Sequence, residues 1–401
     1  MNNFQLGQYL NRGFIWNYDS YNIIPETSLS FEDCKKVFYD LLETNVQDIF
    51  SKNKKILWTM SSGLDTSAIL SHAKKYDSNI HTVCIDNGRL DVEFSNKLAF
   101  EWKFKNHKIL SIPNDFDNIE KDLNYINSVF PTPYAHSYLY FSYFLFKYAE
   151  ENNYDSLIMG DGPDVSMLGT HDLHSDIVLT AIKLKQYDYT KAAEIASSSL
   201  YLEETAIPLD KMRYNSLLKY VNSTPIYNDQ FFYFIWSKKY LPNGLMSKDF
   251  KLKENTLRHR MSAEWEQFIA RTRTPTNILL SNFKFKQISP YLESNICNFS
   301  LSLPAHYKYT LNSTKHLMRE VYGSHLPSYI LNKERTGFNP NNVWAEKYSS
   351  VINELLYKYV TDKNKKIHTH VNVDHLIKIG EFTFNKKWSL INLSMWMEQW
   401  L

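Results

Sequence analysis

Between Lys54 and about Gly160 the chain alternates short apolar, β-rich runs with longer stretches whose apolar residues recur at helical spacing. The runs predict strands at 56–60, 80–86, 108–112 and 157–159, and the intervening patterns predict helices near 67–75, 93–105 and 137–152. Strands separated by helices of this length imply right-handed crossovers and a parallel sheet covered on both faces. Ligands of such sheets lie beyond the carboxyl ends of the strands. From about Ser175 the pattern turns helical, rich in Tyr, Leu and Lys without strand alternation, which predicts a helical half packed on the sheet. No internal repeat, Gly/Ser linker or low-complexity tract interrupts it, and Lys363-Asn-Lys-Lys366 reads as a solvated loop.

The first strand runs straight into Ser61-Ser62-Gly63-Leu64-Asp65-Thr66-Ser67 and then a helix. Short side chains at Ser61, Ser62 and Gly63 let backbone N–H groups close on anionic oxygens, and the helix adds the positive end of its dipole. Asp65 is the odd residue there. A carboxylate aimed at phosphate is repulsive unless a cation lies between them, so Asp65 reads as a Mg²⁺ ligand and the bound anion as a nucleotide. The Gly-Lys-Ser/Thr ending of a Walker loop is missing, and a plain strand-to-helix turn is the alternative. A second turn, Gly160-Asp-Gly-Pro-Asp164, follows the fourth predicted strand and so overhangs the same sheet edge. Asp161 and Asp164, facing Asp65 across the cleft, would hold Mg²⁺ and leave one acid for proton transfer. An Asp-Gly turn without chemistry is the alternative.

Composition narrows the partners. With 401 residues, 43% of them hydrophobic, the chain buries a full core. Its net charge of +2 and dispersed Lys and Arg give no basic stripe, so no nucleic-acid partner is expected. The amino end shows no basic region before an apolar run, and the stretch from Tyr138 to Phe146 is too short to span a bilayer, so a cytoplasmic chain with no membrane partner is expected. Cys34, Cys84 and Cys297 are far apart and without a Cys-x-x-Cys pair, which argues for buried thiols rather than disulfides, zinc or nucleophiles. His171 and His174, and the group His368, His370 and His375, lack partners at zinc spacing and read as loop residues. The aromatic run from Tyr134 to Tyr148 reads as a helix packed on the sheet, with substrate stacking as the alternative.

The motifs in order resemble a known family. The Ser61 loop is similar to the Ser-Gly-Gly-x-Asp-Ser pyrophosphate loop of enzymes that split ATP into AMP and pyrophosphate, with Ser62 and Thr66 as conservative departures. With Glu93-Phe94, His107, Gly160–Gly169, Ile288-Ser-Pro-Tyr-Leu-Glu293, Leu303-Pro304, Lys315-His-Leu-Met-Arg319, Leu326-Pro327, Asn332-Lys-Glu-Arg-Thr-Gly-Phe338 and Trp388–Trp396, the chain resembles the synthetase domain of glutamine-dependent asparagine synthetases and their relatives, the β-lactam and carbapenam synthetases and lasso-peptide cyclases. Val165 stands where asparagine synthetases carry a second Glu, and Val165-Ser-Met-Leu-Gly-Thr-His171 looks more like the β-lactam synthetase form.

The resemblance implies an α/β fold with a parallel sheet of the ATP-pyrophosphatase (adenine nucleotide α-hydrolase-like) type and an extensive helical carboxy-terminal half. It divides the chain into an arm at 1–30, a nucleotide-binding core at 31–178 and a helical half at 179–401. It also implies a reaction: a substrate carboxylate attacks the α-phosphorus of ATP, and an amine then displaces AMP. Carried over by position, Ser61, Ser62, Gly63, Thr66, Ser67 and Gly160 bind ATP and its pyrophosphate, Asp65 and Asp164 ligate Mg²⁺, and Lys315 contacts phosphate. Asp161 takes the place of the catalytic Glu or Tyr. Arg335 takes that of the late catalytic lysine, with Lys333 at an arginine position; an Arg supplies charge but neither the same point geometry nor an exchangeable proton. No acid occurs from Arg271 to Ser289, so the second member of the β-lactam synthetase dyad has no counterpart. Arg271, Arg273, Lys284 and Lys286 stand there instead, either facing an anionic substrate or forming a solvated face.

The segments Leu6-Gly-Gln-Tyr-Leu-Asn-Arg-Gly-Phe14 and Ile23-Ile-Pro-Glu26 resemble the junction to the family's glutaminase domain, and no Cys follows Met1. The nitrogen is therefore expected from a separate donor protein, free ammonia or an amine within the substrate. Two other readings stand beside the amide- or lactam-forming synthetase: an adenylating enzyme that takes sulfur from a donor, and a non-catalytic nucleotide-binding subunit.

Overall fold

Ser30 starts the first described helix, α1 (Phe31–Lys52), by accepting a hydrogen bond from the backbone N–H of Asp33 at 3.1 Å, and its own hydroxyl donates to the Asp33 carboxylate at 2.6 Å. Cys34, Phe38, Leu42, Val46 and Ile49 recur at three- and four-residue spacing and are buried, which turns one stripe of α1 onto the sheet. The computed structural model describes residues 23–77, 79–86, 91–134, 137–169, 262, 265, 268–308, 313–332, 347–369, 371, 373 and 384–401.

Five parallel strands, β1 (Ile56–Thr59), β2 (His81–Asp86), β3 (Asn106–Ser111), β4 (Ser156–Ile158) and β5 (Lys286–Ile288), form one sheet in the order β3-β2-β1-β4-β5. The chain builds outward from β1 to β3, then returns to the other side of β1 for β4 and β5. Strand order thus reverses at β1 and β4, and the crevice at their carboxyl ends is where a sheet of this kind receives ligand. Between and after the strands come α2 (Leu64–Ala73), α3 (Asp91–Glu101), α4 (Phe116–Val129), α5 (Tyr138–Glu151), α6 (Thr274–Leu280), α7 (Ser294–Ser302), α8 (His316–Tyr322), α9 (Ser349–Leu356) and α10 (Phe384–Trp400).

Because successive strand residues point to opposite faces, the sheet separates two apolar cores. Leu57, Val83 and Leu157 pack with α4, α5, α9 and α10; Ile56, Trp58 and Ile158 pack with α1, α2 and α8. The Trp396 indole of α10 donates to the Phe130 carbonyl at 3.0 Å, which fixes the last helix against the end of α4. Among the described residues no helix is long and apolar enough to cross a membrane.

The four strands expected between Lys54 and Gly160 are present within two residues at each end. The expectation of no strand beyond Ser175 is corrected by β5, which pairs with β4 and is extended by a bond from the Met159 N–H to the Ile288 carbonyl at 2.9 Å. This edge strand is three residues long and half-exposed, so it leaves no alternation to read. Helices α1 and α4 also lie outside the expected set, although Asp115 caps α4 by accepting from the Asn118 N–H at 3.0 Å. The segment resembling a glutaminase junction, Leu6 to Phe14, lies outside the described residues.

Candidate active site

The turn after β1 leads into α2 through Gly63, whose extended backbone puts no side-chain cap on the helix and leaves its first-turn N–H groups open to an anion. Within the turn, Ser61 Oγ lies 2.9 Å from Thr66 Oγ1 and accepts from the Gly63 N–H at 3.1 Å, while Ser62 Oγ donates to the Asp91 carboxylate. Ser67 is buried, and its hydroxyl has no hydrogen-bond partner among the described residues. Gly160, after β4, packs directly on this turn: a Cβ there would lie 2.9 Å from Thr66 Cγ2. The Gly160–Asp164 turn depends on Gly162, whose φ of +122° is strained for any L side chain.

Three charged groups from three distant segments converge in the crevice. Lys315 Nζ donates to Asp65 Oδ1 at 2.7 Å and Oδ2 at 2.5 Å, and lies 2.7 Å from Asp164 Oδ1. The Lys315 side chain is 8% exposed against 18% for Asp65 and 50% for Asp164, so solvent reaches the cluster from the Asp164 side. Lys315 itself stands in the left-handed region at φ 53°, just before α8. One turn later Arg319 Nε donates to the Thr314 carbonyl at 3.0 Å, and its Nη1 donates to the Leu331 carbonyl. The Lys-x-x-x-Arg spacing thus has a physical reason: the arginine secures the bend that aims the lysine. Tyr291 adds a strut from the far side, its buried hydroxyl donating to the Asp65 carbonyl at 3.0 Å. Burial, reinforced by Tyr322 and Asp65, holds that phenol well above its ordinary pKa, so it remains a donor.

Asp161 takes a different set of partners. Its Oδ1 accepts from the Tyr138 hydroxyl at 2.9 Å, and its Oδ2 from Arg273 Nη1 at 3.3 Å and Gln287 Nε2 at 3.4 Å. Burial first, and the Asp161 charge second, push the Tyr138 phenol well above its usual pKa, keeping it protonated. The structure therefore joins Asp164, Asp65 and Lys315 in one cluster and bonds Asp161 to α5, β5 and the π-helical segment Ile269–Arg273 that runs into α6. Arg335 and Lys333 lie outside the described residues, as do His171, His174, His370 and His375. His368 Nε2 donates to the Val360 carbonyl at 2.9 Å, a structural contact.

Gln287 is a site residue that sequence reasoning did not name, while Tyr138, Arg273 and Tyr291 were named only as members of longer stretches and not as partners of Asp161 or Asp65. Tyr138 is hidden in an aromatic run whose other members, such as Tyr140, Phe141 and Phe146, are core residues. Arg273 stands in a basic stretch whose Lys284 and Lys286 are exposed, as a solvated face requires, whereas Arg273 itself is half-buried.

Among the described residues no three His, Cys, Asp or Glu side chains gather to hold a metal by themselves. Two carboxylates around one cation are nevertheless what Mg²⁺ needs when phosphate oxygens and water complete its shell. The uncapped start of α2 and the unpartnered Ser67 hydroxyl fit an anion beside that ion.

A likeness to a solved structure, the NH3-dependent NAD synthetase from Campylobacter jejuni subsp. jejuni NCTC 11168 in complex with the nitrate ion, has 14% identity and a TM-score of 0.25 and covers 49% of this chain and 98% of that chain. No curated protein matches. The asparagine synthase family model matches residues 38–398, and with its parallel sheet of the ATP-pyrophosphatase type the chain belongs to that family.

Proposed function

We propose that this protein is an ATP-dependent synthetase of the β-lactam synthetase-like branch, forming AMP and pyrophosphate as it activates a substrate carboxylate for attack by an amine. The observation that carries this reading is the convergence of Asp65, Asp164 and Lys315 where strand order reverses. A carboxylate is a poor electrophile and ATP carries dense negative charge, so the first task is to offset charge on the leaving pyrophosphate. Mg²⁺, held by Asp65 and Asp164, supplies that neutralisation when bound. Lys315 adds a second, buried positive charge, and the start of α2 offers N–H donors that need no reorganisation as charge develops.

Oxygen of the substrate carboxylate bonds to the α-phosphorus, the bond to pyrophosphate breaks, and the acyl-adenylate then yields amide and AMP when the amine attacks. The amine comes from the substrate itself, from ammonia or from a donor protein. A sulfur donor on this chain finds less support: Cys34, Cys84 and Cys297 are all buried, and burial, helped by Asp33, raises the Cys34 thiol. We place the first 30 residues as an arm, with the nucleotide-binding core and the helical half after it.

The test is Mg²⁺-dependent ATP–pyrophosphate exchange by the wild type and Asp65→Ala against amino acids, β-amino acids, peptides and nucleobases. Exchange that needs both Asp65 and one substrate class supports the synthetase. ATP binding without exchange for any class overturns it in favour of a non-catalytic nucleotide-binding subunit.

A further inference from the structure

We propose that Asp91 is a positioning residue of the pyrophosphate loop: by accepting the Ser62 hydroxyl it holds the turn after β1 in the shape that receives the anion, and Ser62 meets that anion through its backbone alone. The inference rests on the nucleotide half of the synthetase reading. Ser62 stands where the Ser-Gly-Gly-x-Asp-Ser pattern has its first glycine, so its side chain is an addition that needs a role. A serine hydroxyl has a single proton to donate, and that of Ser62 goes to Asp91 Oδ1. With Ser62 only 1% exposed, its hydroxyl is a strut inside the fold rather than a group presented to the crevice. Ser61 is engaged in the same manner, accepting from the Gly63 N–H at 3.1 Å and lying 2.9 Å from Thr66 Oγ1. The hydroxyls of Ser61 and Ser62 therefore shape the loop, and the anion falls to backbone N–H groups at the start of α2.

Asp91 can act as an anchor because α3 is held from two sides. Toward the sheet, Ser95 Oγ donates to the Val92 carbonyl at 3.0 Å, His107 Nε2 of β3 donates to that oxygen at 3.3 Å, and Thr82 Oγ1 of β2 donates to His107 Nδ1 at 2.8 Å. Ser95 and Thr82 are both buried, so this relay fixes the first turn of α3 on the strands. Away from the sheet, the Phe94 ring stacks on Tyr329 with centroids 5.8 Å apart, and the Tyr329 hydroxyl donates to Glu101 at 2.6 Å. Tyr329 lies two residues before Leu331, whose carbonyl receives Arg319 and so supports the bend that aims Lys315. A carboxylate close to an anion site is repulsive to the anion, a cost that the positive start of α3 offsets for Asp91 in its first turn. What the charge supplies is a stronger acceptor for Ser62 than a neutral group would be.

The full chain is titrated calorimetrically with Mg²⁺-pyrophosphate and, separately, with AMP, as wild type, Asp91→Ala, Ser62→Ala and the double variant. Each single variant is expected to weaken Mg²⁺-pyrophosphate about tenfold, the worth of one charge-assisted hydrogen bond, and to leave AMP within about twofold. The double variant is expected to bind no more weakly than either single one, because both remove the same contact. Asp91→Asn keeps an acceptor oxygen and should recover most of the affinity. Should Asp91→Ala fail to fold, Asp91→Leu, close in shape and without an acceptor, takes its place.

Losses that multiply in the double variant, an affinity unchanged or improved in Asp91→Ala, or an Asp91→Asn protein as weak as Asp91→Ala overturns the proposal. A loss confined to Ser62→Ala means that the hydroxyl itself reaches phosphate, and equal loss of AMP means general damage to the site; both also overturn it, as does a wild type that binds no Mg²⁺-pyrophosphate. Coupled losses in a protein that catalyses no pyrophosphate exchange with any substrate class sink the synthetase reading alone. Exchange together with uncoupled losses sinks the positioning role alone.

Discussion

At the scale of single residues the site depends on close approach as much as on charge. Gly169 has no functional group, yet a Cβ there would fall 2.2 Å from Lys315 Cε, 2.8 Å from Asp164 Oδ1 and 3.0 Å from Asp164 Cα. The lysine end is flexible and would yield first, so Gly169→Ala is expected to displace Lys315 from between the two carboxylates while the core stays intact. A misplacement of about 1 Å costs on the order of 100-fold in rate, so pyrophosphate exchange should fall by about that factor. Near-wild-type exchange in a Gly169→Ala protein would contradict the assigned role of Lys315. Asp65 and Asp164 were legible in the sequence because metal and phosphate chemistry restricts residue type and because turns after strands mark the binding edge, whereas Lys315 follows no strand and was reached only through the family resemblance. The partners of Asp161 were not legible, since Tyr138 and Gln287 act through a hydroxyl and an amide that elsewhere merely complete a core or an edge strand.

Among elements, the pair α2 and α8 controls the spacing of Asp65 and Lys315. His72 lies seven residues after Asp65, Tyr322 lies seven after Lys315, and His72 Nε2 is 2.7 Å from the Tyr322 hydroxyl. His72 is fully buried, and burial outweighs the opposing Glu43 contact to bring its pKa down to about 4. Neutral at pH 7, its ring donates from Nδ1 to the Glu43 carboxylate and accepts from Tyr322 at Nε2. Burial alone would raise Glu43, but bonds from Lys75, Tyr76 and His72 lower it to about 2. Tyr322→Phe leaves a buried acceptor unpaired, which costs about 1–3 kcal/mol. Urea unfolding should report that loss, together with a several-fold higher KM for ATP; unchanged values of both would show that the contact does not couple the helices. His107, also brought down to about 4 by burial, shares the pH behaviour of His72. Between pH 6.5 and 4 the unfolded chain protonates both rings while the folded chain does not, so stability rises with pH there and is lost on acidification. Each ring contributes a slope of up to about 1.4 kcal/mol per pH unit, and Glu43 acts in the same direction below pH 4.5. Urea midpoints measured from pH 7 to 4.5 should decline accordingly and decline less in His107→Gln; a flat profile would refute neutral burial. None of this was readable from the sequence, because the partners Glu43, His72 and Tyr322 are brought together only by packing.

For the whole molecule, each face of the sheet supports a different half of the site. The strands that carry this division and the helices α2, α3 and α5 were read from apolar spacing, whereas β5, α1 and α4 became assignable only through their packing. On one face Leu70 of α2 and Leu317, Met318 and Tyr322 of α8 are buried in one apolar core shared with α1, behind Asp65 and Lys315. On the other, Tyr140 of α5 meets the Trp388 ring of α10 edge-on at 5.6 Å, behind the Tyr138–Asp161–Arg273 contacts. Leu317→Ala and Trp388→Ala both empty a fully packed position, and each is expected to destabilise the protein by about 2–5 kcal/mol. Their functional signatures should differ. Loosening α8 relaxes the lysine between Asp65 and Asp164, so Leu317→Ala should weaken Mg²⁺-ATP binding more than carboxylate binding. Loosening α5 relaxes the tyrosine on Asp161, so Trp388→Ala should weaken binding of the carboxylate substrate and leave Mg²⁺-ATP closer to wild type. Calorimetric titrations at a temperature where melting curves show both variants folded would compare the two losses directly. Equal losses for both ligands in both variants would mean that the sheet transmits packing defects across its faces, and the division of the site into two independently supported halves would fall.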